Sequence, residues 1–287
     1  MADTTAAVTP GASGRDDRPP GAVPLDTPFA ALHRRPGEPL LLPNAWDHAS
    51  AALLAEQGFA AIGTTSLGVA AAAGLPDGAA ATRDETLRLA RRLGRSGRYL
   101  LSVDVEGGFS DDPSEVAALA VELAEAGVVG INLEDGRPDG TLTPVTVHAA
   151  KIAAIKAAVP ALFVNARTDT HWLAVPDPAE ETDRRLAAYE RAGADGLFVP
   201  GLTDPAAVAR ICGTVTAPLN VLHSPAGPTL AELAALGVAR VSLGSLLYRT
   251  ALAAAVSTAL AVRDSAPAAT AGTPGYAVVQ ALHADGR

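Results

Sequence analysis

From residue 38 onward the chain repeats one pattern. A short apolar run ends in polar residues, an Ala/Leu/Arg-rich segment follows, and a glycine marks the return. The apolar runs are Leu40 to Pro43, Ala60 to Gly63, Tyr99 to Val103, Val128 to Leu133, Leu162 to Asn165, Gly196 to Val199, Leu219 to Leu222 and Arg240 to Leu243. Most are continuous rather than alternating, as expected of strands covered on both faces. Helical segments lie between them, among them PSEVAALAVELAEAG, PAEETDRRLAAYERAG and SLLYRTALAAAVSTALAV. Gly58, Gly127, Gly193 and Gly237 each follow such a segment and precede a run, the place of a helix C-terminal glycine. Eight strands alternating with eight helices predict a (β/α)8 barrel of the TIM type. An open doubly wound sheet is the alternative, but no G-x-G-x-x-G follows the first run.

The ends of the chain break the pattern. Residues 1–25 are rich in Ala, Thr, Gly and Pro, have no apolar core suited to a targeting signal, and are expected to be a disordered tail. The barrel is expected over residues 26–264. Residues 265–287 read as a Pro/Ala/Gly/Thr linker and a short terminal helix, YAVVQALHADGR. No uninterrupted apolar run reaches the length of a membrane span, so the reading is a soluble, cytoplasmic protein.

Composition narrows the function classes. The 287 residues carry 22 Lys+Arg against 31 Asp+Glu, a net charge of −9, which argues against a nucleic-acid partner. One cysteine, Cys212, excludes a disulfide framework and a Cys-rich zinc site. The only lysines, Lys151 and Lys156, both fall on a predicted outer helix, where they read as solvated surface residues. A Schiff-base mechanism needs a lysine at the barrel mouth, so an imine route, and pyridoxal phosphate with it, is set aside.

Barrel enzymes carry their chemistry at the C-terminal ends of the strands. Here those ends read Asn44-Ala45-Trp46-Asp47, Thr64-Thr65-Ser66, Asp104-Val105-Glu106, Glu134-Asp135, Asn165-Ala166-Arg167 and His223-Ser224, and the second loop reaches Asp77. Asp104, Glu106, Glu134 and Asp77 thus gather at neighbouring strand ends. Crowded carboxylates repel unless a cation sits among them, and a hard-oxygen set favours Mg²⁺ or Mn²⁺. Arg167 is placed to clamp a substrate carboxylate or an enolate oxygen. His223 is the first candidate for proton transfer, with His171 and His48 behind it. Asn44, Trp46 and Asp47 are expected to shape the pocket, Asp47 having the alternative role of a helix N-cap.

These segments together resemble the isocitrate lyase/phosphoenolpyruvate mutase superfamily from about residue 40 to about 262. SVDVEGGF is similar to the family's D-x-D/E-x-G-Y/F segment, GINLEDG to its next acidic segment, and VNARTD to the one bearing its substrate-binding arginine. GTTSLGVAAAAGLPDG resembles the segment whose small hydroxyl residue binds the substrate carboxylate. The resemblance implies that Asp104 binds Mg²⁺ directly, that Glu106 and Glu134 act through metal-bound water, and that Asp77 joins the metal shell. It implies substrate contacts from Thr64, Thr65 and Arg167, and a homo-oligomer, dimer or tetramer, that exchanges its last helix.

The chain departs from the family in one loop. The lyase branch carries K-K/R-C-G-H there with a catalytic cysteine, and the mutase branch a longer loop with Lys and Asn. This chain reads DGRPDGTLTPVTVH. Cys212 falls at the end of a helix on the opposite side and reads as a structural thiol. The expected activity is a Mg²⁺-dependent lyase or decarboxylase that breaks a carbon–carbon bond in a small 2-oxo or 2-hydroxy carboxylic acid through an enolate. The alternatives are a carbon–phosphorus enzyme (mutase or phosphonopyruvate hydrolase) and a non-catalytic metabolite-binding relative.

Overall fold

The computed structural model describes residues 25–283, so residues 1–24 of the expected tail and the last four residues lie outside the described part. Nine parallel strands form one sheet: β1 Leu40–Leu42, β2 Asn44–Ala45, β3 Ala61–Thr64, β4 Leu100–Asp104, β5 Val128–Glu134, β6 Phe163–Arg167, β7 Gly196–Val199, β8 Leu219–Leu222 and β9 Arg240–Ser242. The order is β1-β9-β8-β7-β6-β5-β4-β3-β2. The two ends of that order, β1 and β2, are halves of one segment broken at Pro43, which has no N–H to give a ladder. Leu42 O accepts from Leu243 N on one side (3.2 Å), and Pro43 O accepts from Gly63 N on the other (2.8 Å). The sheet therefore closes into the expected (β/α)8 barrel, its first strand in two pieces.

Eight helices form the outer layer: α2 His48–Glu56, α4 Arg83–Leu93, α5 Pro113–Glu125, α6 Val145–Ala158, α7 Pro178–Arg191, α8 Pro205–Thr214, α9 Leu230–Ala235 and α10 Leu246–Arg263. Three more add to the pattern: α1 Pro28–Ala31, α3 Ser66–Ala73 and α11 Tyr276–Ala281. Polar caps start several of them. Asp47 closes a capping box with Ser50 on α2, and Asp112 and Asp204 cap α5 and α8, each followed by proline at the first helical position. Gly127 shows why the returns need glycine. Its φ is +89°, and a Cβ there would meet Gly94 O at 2.7 Å.

The main core lies between strands and helices, from Leu93, Leu101 and Leu123 round to Ile152, Val164, Leu186 and Val241. A smaller cluster of Phe29, Ala30, Leu32, Leu42, Ala61 and Phe163 seals the N-terminal end of the barrel, with the Phe29 ring edge-on to Phe163 (5.3 Å). His33 is buried there with its ring stacked on Phe163 at 4.4 Å.

Both lysines correct the sequence expectation. Lys151 is 2% exposed, and its Nζ donates to Gly107 O (3.0 Å) and Asp111 Oδ1 (2.9 Å). Lys156 bonds Asp195 Oδ2 (2.7 Å) and the Leu162 carbonyl (2.9 Å). Both sit on α6, outside the barrel as expected, but each ties a loop rather than facing solvent. Cys212 is half-buried on α8, and burial pushes its thiol up.

Candidate active site

All strands are parallel, so Asn44, Thr64, Asp104, Glu134 and Arg167 come to the same end of the barrel. A cavity of about 300 Å³ opens there. Asp77, Asp104, Glu134 and Arg167 line it together, with Phe198, Leu222 and Trp172 as its apolar part. The inward residue on each strand end is fixed by the period-two alternation of a strand.

Arg167 is held from two sides. Nη1 meets Glu134 Oε2 at 2.7 Å, and Nε and Nη2 donate to the two oxygens of Asp169 at 2.7 and 3.2 Å. The guanidinium carbon lies 5.6 Å from the Phe198 ring centre. Burial works against its charge, yet Glu134, Asp169 and Asp104 outweigh that and hold Arg167 above its ordinary value. Asp169 is itself fixed from behind: its N–H donates to Asp135 Oδ1 (2.8 Å). Asp135 Oδ2 in turn accepts from Arg185 Nη1 (2.8 Å) and Tyr189 OH (2.6 Å). A chain of bonds thus runs from α7 through two aspartates to the arginine that faces the cavity.

Burial pushes Asp104 above the usual carboxylate range, Arg167 draws it back, and Asp77 pushes it further up. Glu134 is raised well above its usual value by burial, against Arg167 and with Asp104, Asp169 and Asp77. Burial also raises Glu106, although Thr82 Oγ1 (2.5 Å) and Ala80 N (3.0 Å) donate to it. Glu106 adopts a left-handed φ of 50° and lies beside the cavity rather than in its wall. Such an uncompensated oxygen set fits a hard divalent cation, which would reverse these shifts. Among the described residues no group of three His, Cys, Asp or Glu side chains closes on a single point.

The other candidates divide. Asn44 lines the cavity, but its amide group is engaged: Nδ2 donates to Thr64 O (2.7 Å) and Oδ1 accepts from Leu243 N (3.1 Å). Thr65 lines it and caps α3. Thr64 does not; its hydroxyl accepts from Asp104 N (2.9 Å) and steadies that strand end. Trp46 is also outside the wall, packed edge-on against Tyr248 at 5.3 Å. His223 is not brought to the cavity. Leu222 takes the inward position, and His223 follows it with its N–H on Ser242 O (2.9 Å). His48 Nε2 donates to Leu282 O (2.5 Å) and so ties down the C-terminal segment, while Asp47 takes its N-cap role.

Four residues escaped the sequence reading. Asp135 and Asp169 stood inside the quoted motifs but showed no sign of their bonds. Arg185 looked like one more arginine on an amphipathic helix. Arg240 begins β9 and is fully buried inside the barrel, where Nε donates to Ser242 Oγ (3.1 Å) and Nη2 to Asn132 Oδ1 (3.1 Å). Burial lowers its pKa to about 9 against the pull of Asp104.

A closed parallel barrel with acids and an arginine at its C-terminal mouth is the arrangement of a (β/α)8 barrel enzyme. The phosphoenolpyruvate phosphomutase family model matches residues 29–263, and the chain belongs to that family, within the isocitrate lyase/phosphoenolpyruvate mutase superfamily. An uncharacterized protein of Mycobacterium tuberculosis H37Rv, Rv1998c, is 45% identical over 236 residues, covering 82% of this chain and 89% of the relative. An oxaloacetate decarboxylase of Pseudomonas aeruginosa PAO1 is 34% identical over 227 residues, covering 74% and 76%. Among solved structures, a candidate lyase/mutase of Burkholderia cenocepacia J2315 matches with a TM-score of 0.80 at 38% identity, covering 90% of this chain and 95% of that one. A phosphonopyruvate hydrolase complexed with oxalate and Mg²⁺ shares the fold, with a TM-score of 0.77 at 24% identity, covering 88% and 93%.

Proposed function

We propose that the protein is a Mg²⁺-dependent (or Mn²⁺-dependent) carbon–carbon lyase or decarboxylase acting on a small 2-oxo carboxylic acid through an enolate. One observation carries this reading: Asp77, Asp104, Glu134 and Arg167 line a single cavity, and burial holds Asp104 and Glu134 above the usual carboxylate range against the pull of Arg167. Asp104 would hold the cation directly, with Asp77, Glu134 and Glu106 around it. The bound cation would draw electron density from the 2-oxo group and so lower the energy of the enolate. Arg167 faces the developing negative charge from a fixed position, since Glu134 and Asp169 hold it on three nitrogens. Thr65, Ser66 and Leu67, at the start of α3, line the cavity, and Thr65 would contact the substrate carboxylate.

No histidine lines the cavity among the described residues. Cleavage of a 2-hydroxy acid needs a base for its hydroxyl proton, whereas loss of CO₂ from a 3-carboxy-2-oxo acid needs none in the bond-breaking step. The 34% identical decarboxylase relative favours the second, decarboxylation of an oxaloacetate-like acid. Carbon–phosphorus chemistry is the second reading, favoured by the family whose model spans residues 29–263. We also read the protein as a soluble cytoplasmic homo-oligomer. Leu252, Val256 and Leu260 are spaced four apart on α10 and stay exposed, and this stripe fits a second copy. By length and composition α10 also passes as a membrane span.

The test is release of pyruvate from oxaloacetate and from phosphonopyruvate with Mg²⁺, monitored by coupled NADH oxidation. Wild type should act on oxaloacetate, and EDTA or Asp104→Asn should lower kcat by at least about 100-fold. Full activity of Asp104→Asn would exclude the proposed site, and release from phosphonopyruvate alone would favour the second reading.

A further inference from the structure

The loop that departs from the family, after β5, brings a second arginine to the cavity. Gly136 bridges Leu142, and Arg137 N donates to Thr141 O (2.9 Å), so the loop is a compact turn. Arg137 stands at its start and lines both the main cavity and an adjoining one of about 390 Å³. Its Nη2 meets Asp111 Oδ2 at 2.5 Å and its Nε donates to Thr143 Oγ1 (3.1 Å).

The two cations at the mouth differ in how firmly they are held. The carboxylates that fix Arg167 are both nearly buried, with side-chain exposures of 10% and 4%. Asp111 is 59% exposed, and an ion pair at such a rim is weak because solvent screens it. Asp111 also has a second cation, the buried Lys151, at 2.9 Å. It therefore stays neutralised when Arg137 leaves it. Arg137 is the lining cation whose present partner is easiest to exchange.

We propose that Arg137 is a specificity-determining residue that exchanges Asp111 for a second anionic group, a carboxylate or phosphonate, at the far end of the substrate. The inference rests on the 2-oxo acid reading above and narrows it to dianionic acids. A guanidinium fork matches either group in bidentate fashion. The exchange also places the ligand's second charge away from the acids at the cavity floor.

Binding in saturating Mg²⁺, measured by isothermal titration with pyruvate, malate and phosphonopyruvate as probes, separates the possibilities. Wild type should bind malate or phosphonopyruvate more tightly than pyruvate, and whichever binds better identifies the distal group. Arg137→Met should weaken that ligand by at least about tenfold and leave pyruvate within about twofold, while Arg137→Lys should restore part of the loss. Asp111→Asn, which keeps the shape of the loop, should tighten the dianion in the wild-type background and have no effect beside Arg137→Met. Equal effects of Arg137→Met on pyruvate and the dianions, or none on either, would overturn the inference while leaving the 2-oxo acid reading intact. Failure of wild type to bind any of the three would overturn both.

Discussion

His148 is buried to 0% exposure on α6, its ring tilted against Tyr189 at 4.6 Å. Burial lowers its pKa from 6.5 to about 4. The unfolded chain takes up this proton first, so the contribution to stability is complete above pH 6.5 and is lost as pH falls toward 4. At pH 5 the loss is about 2 kcal/mol. The raised acids of the cavity act in the opposite sense but are common to wild type and variant. His148→Gln should therefore show a smaller drop in Tm between pH 7.5 and pH 5 than wild type, read by scanning calorimetry. An unchanged drop would show that His148 is not the group responsible. Site residues at this scale were legible where the chemistry is local. That Asp77, Asp104, Glu134 and Arg167 would share a cavity was legible because strand ends in a parallel barrel meet. That His223 and Trp46 stand outside its wall was not, because sequence does not give the direction of the residue just past a strand end.

The element scale is best seen in α7 and the loop after β5. Arg185 and Tyr189 are one helical turn apart and converge on the fully buried Asp135. Removing one partner of a buried charge leaves the other uncompensated. Arg185→Met should cost about 3–5 kcal/mol in urea unfolding. Tyr189→Phe, which removes one hydrogen bond, should cost about 1 kcal/mol. Similar losses for the two variants would mean that Arg185 does not carry the charge balance of Asp135. The helix itself was legible from its period. Its link to the site was not, because Asp135 and Arg185 are 50 residues apart and nothing in the local pattern connects them. The same holds for Lys151, whose helix was foreseen and whose burial was not.

At the scale of the molecule, α10 is long, apolar and little used by its own barrel; Tyr248 is its one buried residue. Leu252, Val256 and Leu260 remain 43–60% exposed along one side. In the proposed homo-oligomer this stripe would be covered by a second copy. Light scattering should give a dimer or tetramer, and the double substitution Leu252→Glu, Val256→Glu should shift it to a smaller species. A wild-type monomer would rule the interface out.

The order of apolar runs, helices and glycines by itself determined the barrel, since continuous runs must be covered on both faces and parallel strands need crossover helices. It also determined which end carries the acids. Tertiary structure alone decided which acids share a wall, which cations are fixed and which can exchange, and how α7 steadies Arg167 through Asp135, 50 residues before Arg185. Those outcomes depend on burial and on side-chain direction across distant segments, and neither is set by a residue's neighbours in the chain.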